Sequence, residues 1–500
     1  MARNKKGMAR EGAVQRITPE QKAGSEKTGI VSWLLVFAII ALGLVLRLLL
    51  LGQENYWYDE SYTVQHLQQP TLGRMLSSVR EYELYNPPVY YSLLFGWSRL
   101  SGLSETALRS FSVLFSTLSI LLLYLVARQL FSHRTSWIAA LIFAMSPLQL
   151  SFAQEARAYA FFIFLTLCSF FFFLRMMREQ RTSDLVLYLV ASALSLYTMV
   201  LALLTFLVQN LVFFFHHYPE RPGRLKAWLI AQATLAFFFL AGSVTFFIPS
   251  IISNVDDGLT QFVQRFGFPA FLKGILIVGF FAAFALVAAA ILLQVRRRWP
   301  ASWVQRLLLP RRLFLVLMAL CLVGELFLLP KVWRAFFLVR YTVFLYFIGY
   351  LFIAANIAAR QRALRYLVLA LFLLVQSFLI IDYFATPTKT PWQEIIGHVG
   401  AEAKPGDIIL FGGGKFAYDY YDRSALPKVE LMPVEVAVVE RRVAAKDIDE
   451  ALGQHPVTGI WFITFRQWAA KPYKDELDSR FALRSEKVFL DTAVYYYAVR

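Results

Sequence analysis

From Ile30 onward the chain returns again and again to apolar runs of the length that crosses a bilayer, roughly 20 residues each. In hydrocarbon every backbone N–H and C=O must find a partner within its own segment, so such runs fold as helices. They can be placed at 30–51, 107–130, 136–153, 158–176, 184–198, 200–216, 227–250, 270–294, 312–330, 335–357 and 362–382, about eleven spans in all. The expected fold is a mainly α, polytopic membrane protein. The composition agrees: 58% of the 500 residues are hydrophobic and 46 are Phe, more apolar side chain than a soluble core requires.

A formal charge of +17 would suit nucleic acid if it lay on one face or tail. Instead the Lys and Arg fall in short clusters between the apolar runs. With the N-terminus in the cytoplasm, "ARQLFSHR", "RMMREQR", "HHYPERPGRLK", "RRRWPASWVQRLLLPRR" and "ARQRALR" share its side, giving about two dozen Lys and Arg there against about seven in the opposite loops. The pattern predicts an inner (plasma) membrane protein with no nucleic-acid partner. It also divides Leu185 to Phe215 into two spans, because a single span would put every later basic loop outside. Residues 1–29 read as a basic, disordered cytoplasmic tail. The apolar run behind them is long for a signal peptide and lacks a small-residue cleavage site, so an uncleaved first span is expected. Cys168 and Cys321 lie in separate apolar runs and suggest neither a disulfide nor a Cys metal site.

This topology yields a membrane domain over 30–384, a long outer loop at 52–106, and a C-terminal domain at 385–500, also outside. In the last, "GDIILFGG", "GIWFITF" and "AVYYYAVR" read as strands and "VEVAVVERRVAAKDIDEALGQ" contains a helix. It is expected to be a small appended α/β module. Within the outer loop, "DESYTVQHL", "TLGRMLSSVREY" and "PPVYYSLLFGWSRLSG" have helical spacing but are too short to cross, so they are expected to lie in the interface.

Polar residues gather at the outer boundary. Asp59 and Glu60 follow the first span closely, and as helix neighbours they point about 100° apart, so they cannot share one proton or one metal in the simplest geometry. One reading gives them separate chemical tasks; the other makes Asp59 a helix cap and Glu60 a favourable first-turn charge. "SPLQLSFAQEARAY" between the third and fourth spans carries Gln154, Glu155 and Arg157. Arg157, near a helix N-terminus, could help hold a phosphate or bridge to an acid of the first loop. In "PKVWRAFFLVRYTVF", Arg340 sits inside an apolar segment and is a functional candidate unless paired with Glu325. Arg47 and Arg109 near span ends suit snorkelling or structural roles. "FGGGK" at 411–415 lacks the spacing of a phosphate loop and reads as a turn. The six histidines form no metal constellation.

Taken together, "WYDESYT" (57–63), "NPPVYYSLL" (86–94), "ALRSFSVLFSTLSILLLYLVARQLF" (107–131), "SPLQLSFAQEARAYA" (146–160) and "VRYTVF" (339–344) resemble the GT-C class of polytopic glycosyltransferases, and within it the protein O-mannosyltransferase and aminoarabinose transferase relatives. The resemblance implies transfer of a sugar from a polyprenyl-phosphate carrier, undecaprenyl or similar, to an acceptor hydroxyl outside the cytoplasm, with inversion. The acceptor would be a cell-envelope glycan, lipid or protein, reached among membrane lipids. By this analogy Asp59 is the general base. Glu60 and Glu155 orient hydroxyls or hold arginines in place. Tyr58, Asn86, Gln154, Arg157, Arg340 and Tyr341 are candidates for binding substrate or its phosphate. No cofactor is implied; a divalent metal is compatible with such a site but not required, since arginines can stabilise the leaving phosphate. Many relatives have His where this chain has Asn86 before paired prolines, and the C-terminal module has no match.

Other classes fit less well. A polyprenyl-lipid flippase or transporter would favour internal repeats and polar, broken spans near mid-membrane. An assembly or sensor protein leaves the outer acids and Arg157 without a task. A glycan polymerase or ligase shares the lipid-phosphate chemistry and stays open.

Overall fold

A computed structural model describes residues 19–82, 88–179, 181–199, 201–214, 224–242, 346–431, 441–453, 457–465 and 470–499. Most of the expected tail 1–29, the end of the expected span 227–250, the spans 270–294 and 312–330, residues 335–345 of the span 335–357, and the site candidates Asn86, Arg340 and Tyr341 lie outside the described residues.

The described residues open with α1 (Pro19–Leu48), followed before the next long helix by α2 (Tyr58–Leu67), α3 (Leu72–Tyr82) and α4 (Val89–Ser101). The membrane part continues through α5 (Glu105–Leu130), α6 (His133–Ala144), α7 (Pro147–Ala153), α8 (Tyr159–Glu179), α9 (Thr182–Leu196), α10 (Ala202–Val212) and α11 (Leu225–Gly242). It resumes with α12 (Tyr346–Ala358) and α13 (Arg362–Ala385). Among the described residues α5, α8, α11 and α13 are long and apolar enough to cross a membrane, and α6 with α7 makes a bent fifth candidate. The chain is thus a multi-pass membrane protein, with α1, α9, α10 and α12 presenting shorter apolar stretches.

The bundle centres on α5, which packs against α1, α6 and α8, while α8 continues onto α9. Its buried seam carries Ile120, Leu123, Phe143, Phe170 and Phe173. On α13, by contrast, Leu374, Phe378 and Ile381 point outward, a face suited to lipid. Serines start three of these helices: the Ser104, Ser132 and Ser146 hydroxyls accept from the Ala107, Thr135 and Gln149 amides, each at 3.4 Å, worth about 1 kcal/mol apiece. The expected span 136–153 is broken, α6 meeting α7 at 58°. Pro147 is the cause: it has no N–H to continue the ladder and drives Ser146 out of the helical region. Within 185–215 the helix breaks after Leu196, giving the shorter apolar helices α9 and α10.

The C-terminal part is a five-stranded sheet in the order β2-β1-β3-β5-β4, from β1 (Asp407–Gly412), β2 (Lys428–Glu430), β3 (Gly459–Phe465), β4 (Ala482–Phe489) and β5 (Thr492–Ala498). β1 is parallel to β2 and β3; β5 runs antiparallel to β3 and β4. Alternation splits the central strands between two cores. Ile408, Leu410, Ile460 and Phe462 face helices Arg441–Gly453 and Lys471–Arg480, while Ile409, Phe411, Trp461 and Ile463 face Trp392 and Tyr418.

This module is bonded to the loop between α1 and α5. Tyr56 N donates to the Tyr421 hydroxyl at 2.7 Å, Tyr420 donates to the Leu103 carbonyl at 2.8 Å, and Tyr421 donates to Glu105. The "FGGGK" stretch is a tight bend between β1 and helix Lys415–Tyr421, with Gly413 and Gly414 at φ +103° and +92°. A Cβ on Gly414 would lie 2.5 Å from the buried Trp392 ring. Gly414→Ala should therefore destabilise the module by about 1–3 kcal/mol, read as a lowered melting temperature by tryptophan fluorescence; an unchanged melt would mean the bend tolerates a side chain.

Candidate active site

Trp57 occupies the N-cap of α2, so Asp59 and Glu60 are its second and third residues and diverge around the helix. Asp59 is therefore not the cap. It remains half-buried, whereas Glu60 turns inward and is fully buried. The Glu60 carboxylate reaches back to accept from the Trp57 amide at 3.3 Å. It also meets Arg109 of α5 in a two-pronged pair, Nε to Oε1 at 2.9 Å and Nη2 to Oε2 at 2.8 Å. The other Arg109 hydrogens go to the carbonyls of Leu51 (3.0 Å), Glu54 (2.8 Å) and Asn55 (3.0 Å). All five guanidinium N–H donors are thereby used, and the segment joining the first span to α2 is wrapped around one side chain.

Two further groups close on Glu60. The Ala156 amide donates to Oε1 at 2.7 Å, and the Lys389 ammonium lies 3.4 Å from Oε2. Burial alone would raise the carboxyl pKa, but the charges of Arg109 and Lys389 and the hydrogen bonds from Arg109 and Ala156 bring it down to about 2.

Arg157 precedes α8 by one residue, among bends rather than on a helix. It is 7% exposed. Its Nη1 donates to the Asp59 carbonyl at 3.0 Å, to the Tyr91 hydroxyl at 3.2 Å and to Thr63 Oγ1 at 3.4 Å. The two motifs are thus in contact. Gln154 is a tie: its amide donates to the carbonyls of Arg47 (3.1 Å) and Leu49 (2.7 Å) and its oxygen accepts from Tyr383 at 2.9 Å. Glu155 is half-buried, its carbonyl held by Ser112 at 2.6 Å. Tyr58 stacks on Phe465 of β3, centroids 4.5 Å apart and planes within 7°, and its hydroxyl pairs with Tyr62 at 2.9 Å.

The structure thus brings Asp59, Glu60, Gln154, Glu155 and Arg157 into one region. Arg47 is structural, its guanidinium bonded to Ser116 at 2.8 Å and to the carbonyls of Gly43 (2.9 Å) and Ala144 (3.1 Å). Lys389 was not singled out in the sequence. The signal for it is a lone cation in "TPTKTPW", immediately past the last span. Among the described residues no three His, Cys, Asp or Glu side chains cluster as metal ligands.

Since the Glu60 carboxyl is held at about 2, below its ordinary 4.5, its pairing stabilises the fold fully above the ordinary value and fades as pH falls through the lowered one. Glu60→Gln leaves Arg109 and Lys389 without their shared counter-ion, a loss of about 3–5 kcal/mol. Thermal unfolding in lipid nanodiscs should show a large drop at pH 7 that narrows toward pH 2. Equal melting at pH 7 would contradict the anchoring role.

Comparison places this geometry among known proteins. Residues 85–246 match the family model described as Dolichyl-phosphate-mannose-protein mannosyltransferase. No curated protein matches the sequence. The fold is similar to the archaeal oligosaccharyltransferase AglB from Archaeoglobus fulgidus in complex with an inhibitory peptide and a dolichol-phosphate, at 12% identity and a TM-score of 0.55, covering 94% of this chain and 74% of that one. The apo form of the Archaeoglobus fulgidus oligosaccharyltransferase gives 11% identity and 0.54, over 93% and 74%. ArnT from Cupriavidus metallidurans bound to undecaprenyl phosphate gives 14% and 0.49, over 92% and 97%. In sequence over 85–246 and in fold over nearly its whole length, the chain resembles the GT-C glycosyltransferases.

Proposed function

We propose that the protein is an integral plasma-membrane glycosyltransferase that moves a sugar from a polyprenyl-phosphate carrier to an acceptor hydroxyl on the extracytoplasmic side, with inversion. The observation that carries this reading is the contact between the two motifs: the Arg157 guanidinium donates to the Asp59 backbone carbonyl at 3.0 Å, so the residue that bears the carboxylate lies against the turn that opens α8. The family model matched over 85–246 is named for a dolichyl-phosphate-mannose donor, and AglB was captured with a dolichol-phosphate; both supply the donor class.

Asp59 takes the proton of the acceptor hydroxyl as that oxygen bonds to the anomeric carbon. The bond from the anomeric carbon to the carrier phosphate breaks on the opposite face, and its electron pair leaves with the polyprenyl phosphate. Arg157, the first turn of α8, and Arg340 with Tyr341 stabilise that charge. The half-buried Asp59 suits proton acceptance, whereas Glu60, occupied on both oxygens, serves as the anchor that aims α2. Glu155 orients a hydroxyl of sugar or acceptor; Gln154 fixes the turn from which Glu155 and Arg157 project. Tyr58 and Asn86 contribute to binding the substrate. The acceptor is a glycan, lipid or protein of the cell envelope.

The test is transfer of radiolabel from extracted polyprenyl-phosphate-sugars by purified protein in lipid. Asp59→Asn should cut transfer by about 10²- to 10⁴-fold while binding undecaprenyl phosphate as before. Unchanged transfer removes Asp59 as base. A native protein that binds the carrier phosphate but transfers from no sugar-carrying pool would be a lipid flippase instead.

A further inference from the structure

The segment leaving the last span crosses the outer loop and is fastened along its length. The Glu54 carboxylate accepts from the Thr388 amide at 2.5 Å, the Thr388 hydroxyl at 2.9 Å and the Lys389 amide at 3.2 Å. One residue on, Thr390 donates to Asp491 between β4 and β5 at 2.7 Å, and the Gln393 amide donates to Asn55 at 3.2 Å. The strap therefore joins the loop before α2 to the far edge of the C-terminal sheet. At its centre Lys389, 9% exposed, turns inward. Its ammonium donates to the Gln154 carbonyl at 2.8 Å and lies 3.4 Å from Glu60 Oε2.

Charge balance does not require this lysine. Glu60 is already matched by Arg109 through two hydrogen bonds, so a second cation leaves the buried group with excess positive charge, offset in part by the Glu155 and Glu54 carboxylates nearby. Burial disfavours a charged ammonium. What Lys389 adds is reach: it spans from the first turn of α2 to the carbonyl of Gln154, and these two segments carry Asp59 on one side and Glu155 and Arg157 on the other.

We propose that Lys389 is a positioning residue of the transfer centre, setting the spacing between the Asp59 helix and the Gln154–Arg157 turn and making that spacing depend on docking of the strap and of the C-terminal domain behind it. The inference rests on the transferase reading for its kinetic consequence, not for its structural one. In an active site of this kind a displacement of about 1 Å costs on the order of 10²-fold, so a spacer outside the chemistry can govern the rate.

The experiment uses the full chain in lipid nanodiscs, with Lys389→Met and Lys389→Arg beside the native protein. Hydrogen exchange is followed at the Trp57 and Ala156 amides, the two that donate to Glu60, and transfer is measured from extracted polyprenyl-phosphate-sugars. Lys389→Met should speed exchange at both amides and lower kcat by about 10- to 100-fold, with undecaprenyl phosphate binding within about twofold. Lys389→Arg, which keeps a long cationic donor, should recover most of both. Native exchange in Lys389→Met overturns the proposal, even if transfer falls, because the lysine would then act on substrate directly. Altered exchange with full transfer overturns it as well. If the native protein transfers nothing, the transferase reading fails, and exchange at these two amides alone decides whether Lys389 sets the spacing.

Discussion

The pairing of Glu60 with Arg109 is the interaction on which the arrangement around α2 depends. Neither charge is tolerable alone at such depth, and breaking a buried pair typically costs about 3–5 kcal/mol. Here the pair also gathers backbone: Arg109 binds three carbonyls of the segment before α2, while Glu60 binds the amides of Trp57 and Ala156. Satisfying one buried ion pair thus fixes the end of the first span, the start of α2 and the turn before α8 relative to α5. Asp59, next to Glu60 on α2, and Arg157, next to Ala156, are brought together as a consequence.

The same logic extends to the C-terminal domain. A sheet covered by helices on both faces could stand apart from the membrane part, yet its first helices, its Tyr420–Tyr421 edge and the strap before it all bond to the outer loop. Tyr58, adjacent to Asp59, stacks on the last residue of β3. The surroundings of Asp59 are therefore shared between the loop and the domain.

Much of this was legible in the sequence because lipid imposes a blunt rule on apolar runs, and because α2, α3 and α4 carry their own helical spacing. The division of 185–215 followed from charge in the flanking loops. What could not be read were features set by distant partners. Glu60 and Arg109 are 49 residues apart, and Glu60 and Ala156 are 96 apart, so the local pattern set the adjacent acids at divergent angles without showing which one the fold sends inward. Lys389 was hidden for the same reason. The strand Ala482–Phe489 lacks an apolar alternation because it is an exposed edge, and β2 has only three residues. The broken span at 136–153 was the reverse case: Ser146–Pro147 stood in plain view, but the apolar count outweighed it.

On the proposed function, the carrier phosphate and the base meet beside the anchored Glu60–Arg109 pair. The most direct measurement is a cryo-electron microscopy structure of the protein in nanodiscs with undecaprenyl phosphate. The account predicts phosphate density beside the Arg157 guanidinium and the first amides of α8, on the Asp59 side of the intact Glu60–Arg109 pair. Phosphate density seated deep in the bundle or on the cytoplasmic side, away from Asp59 and Arg157, would contradict it.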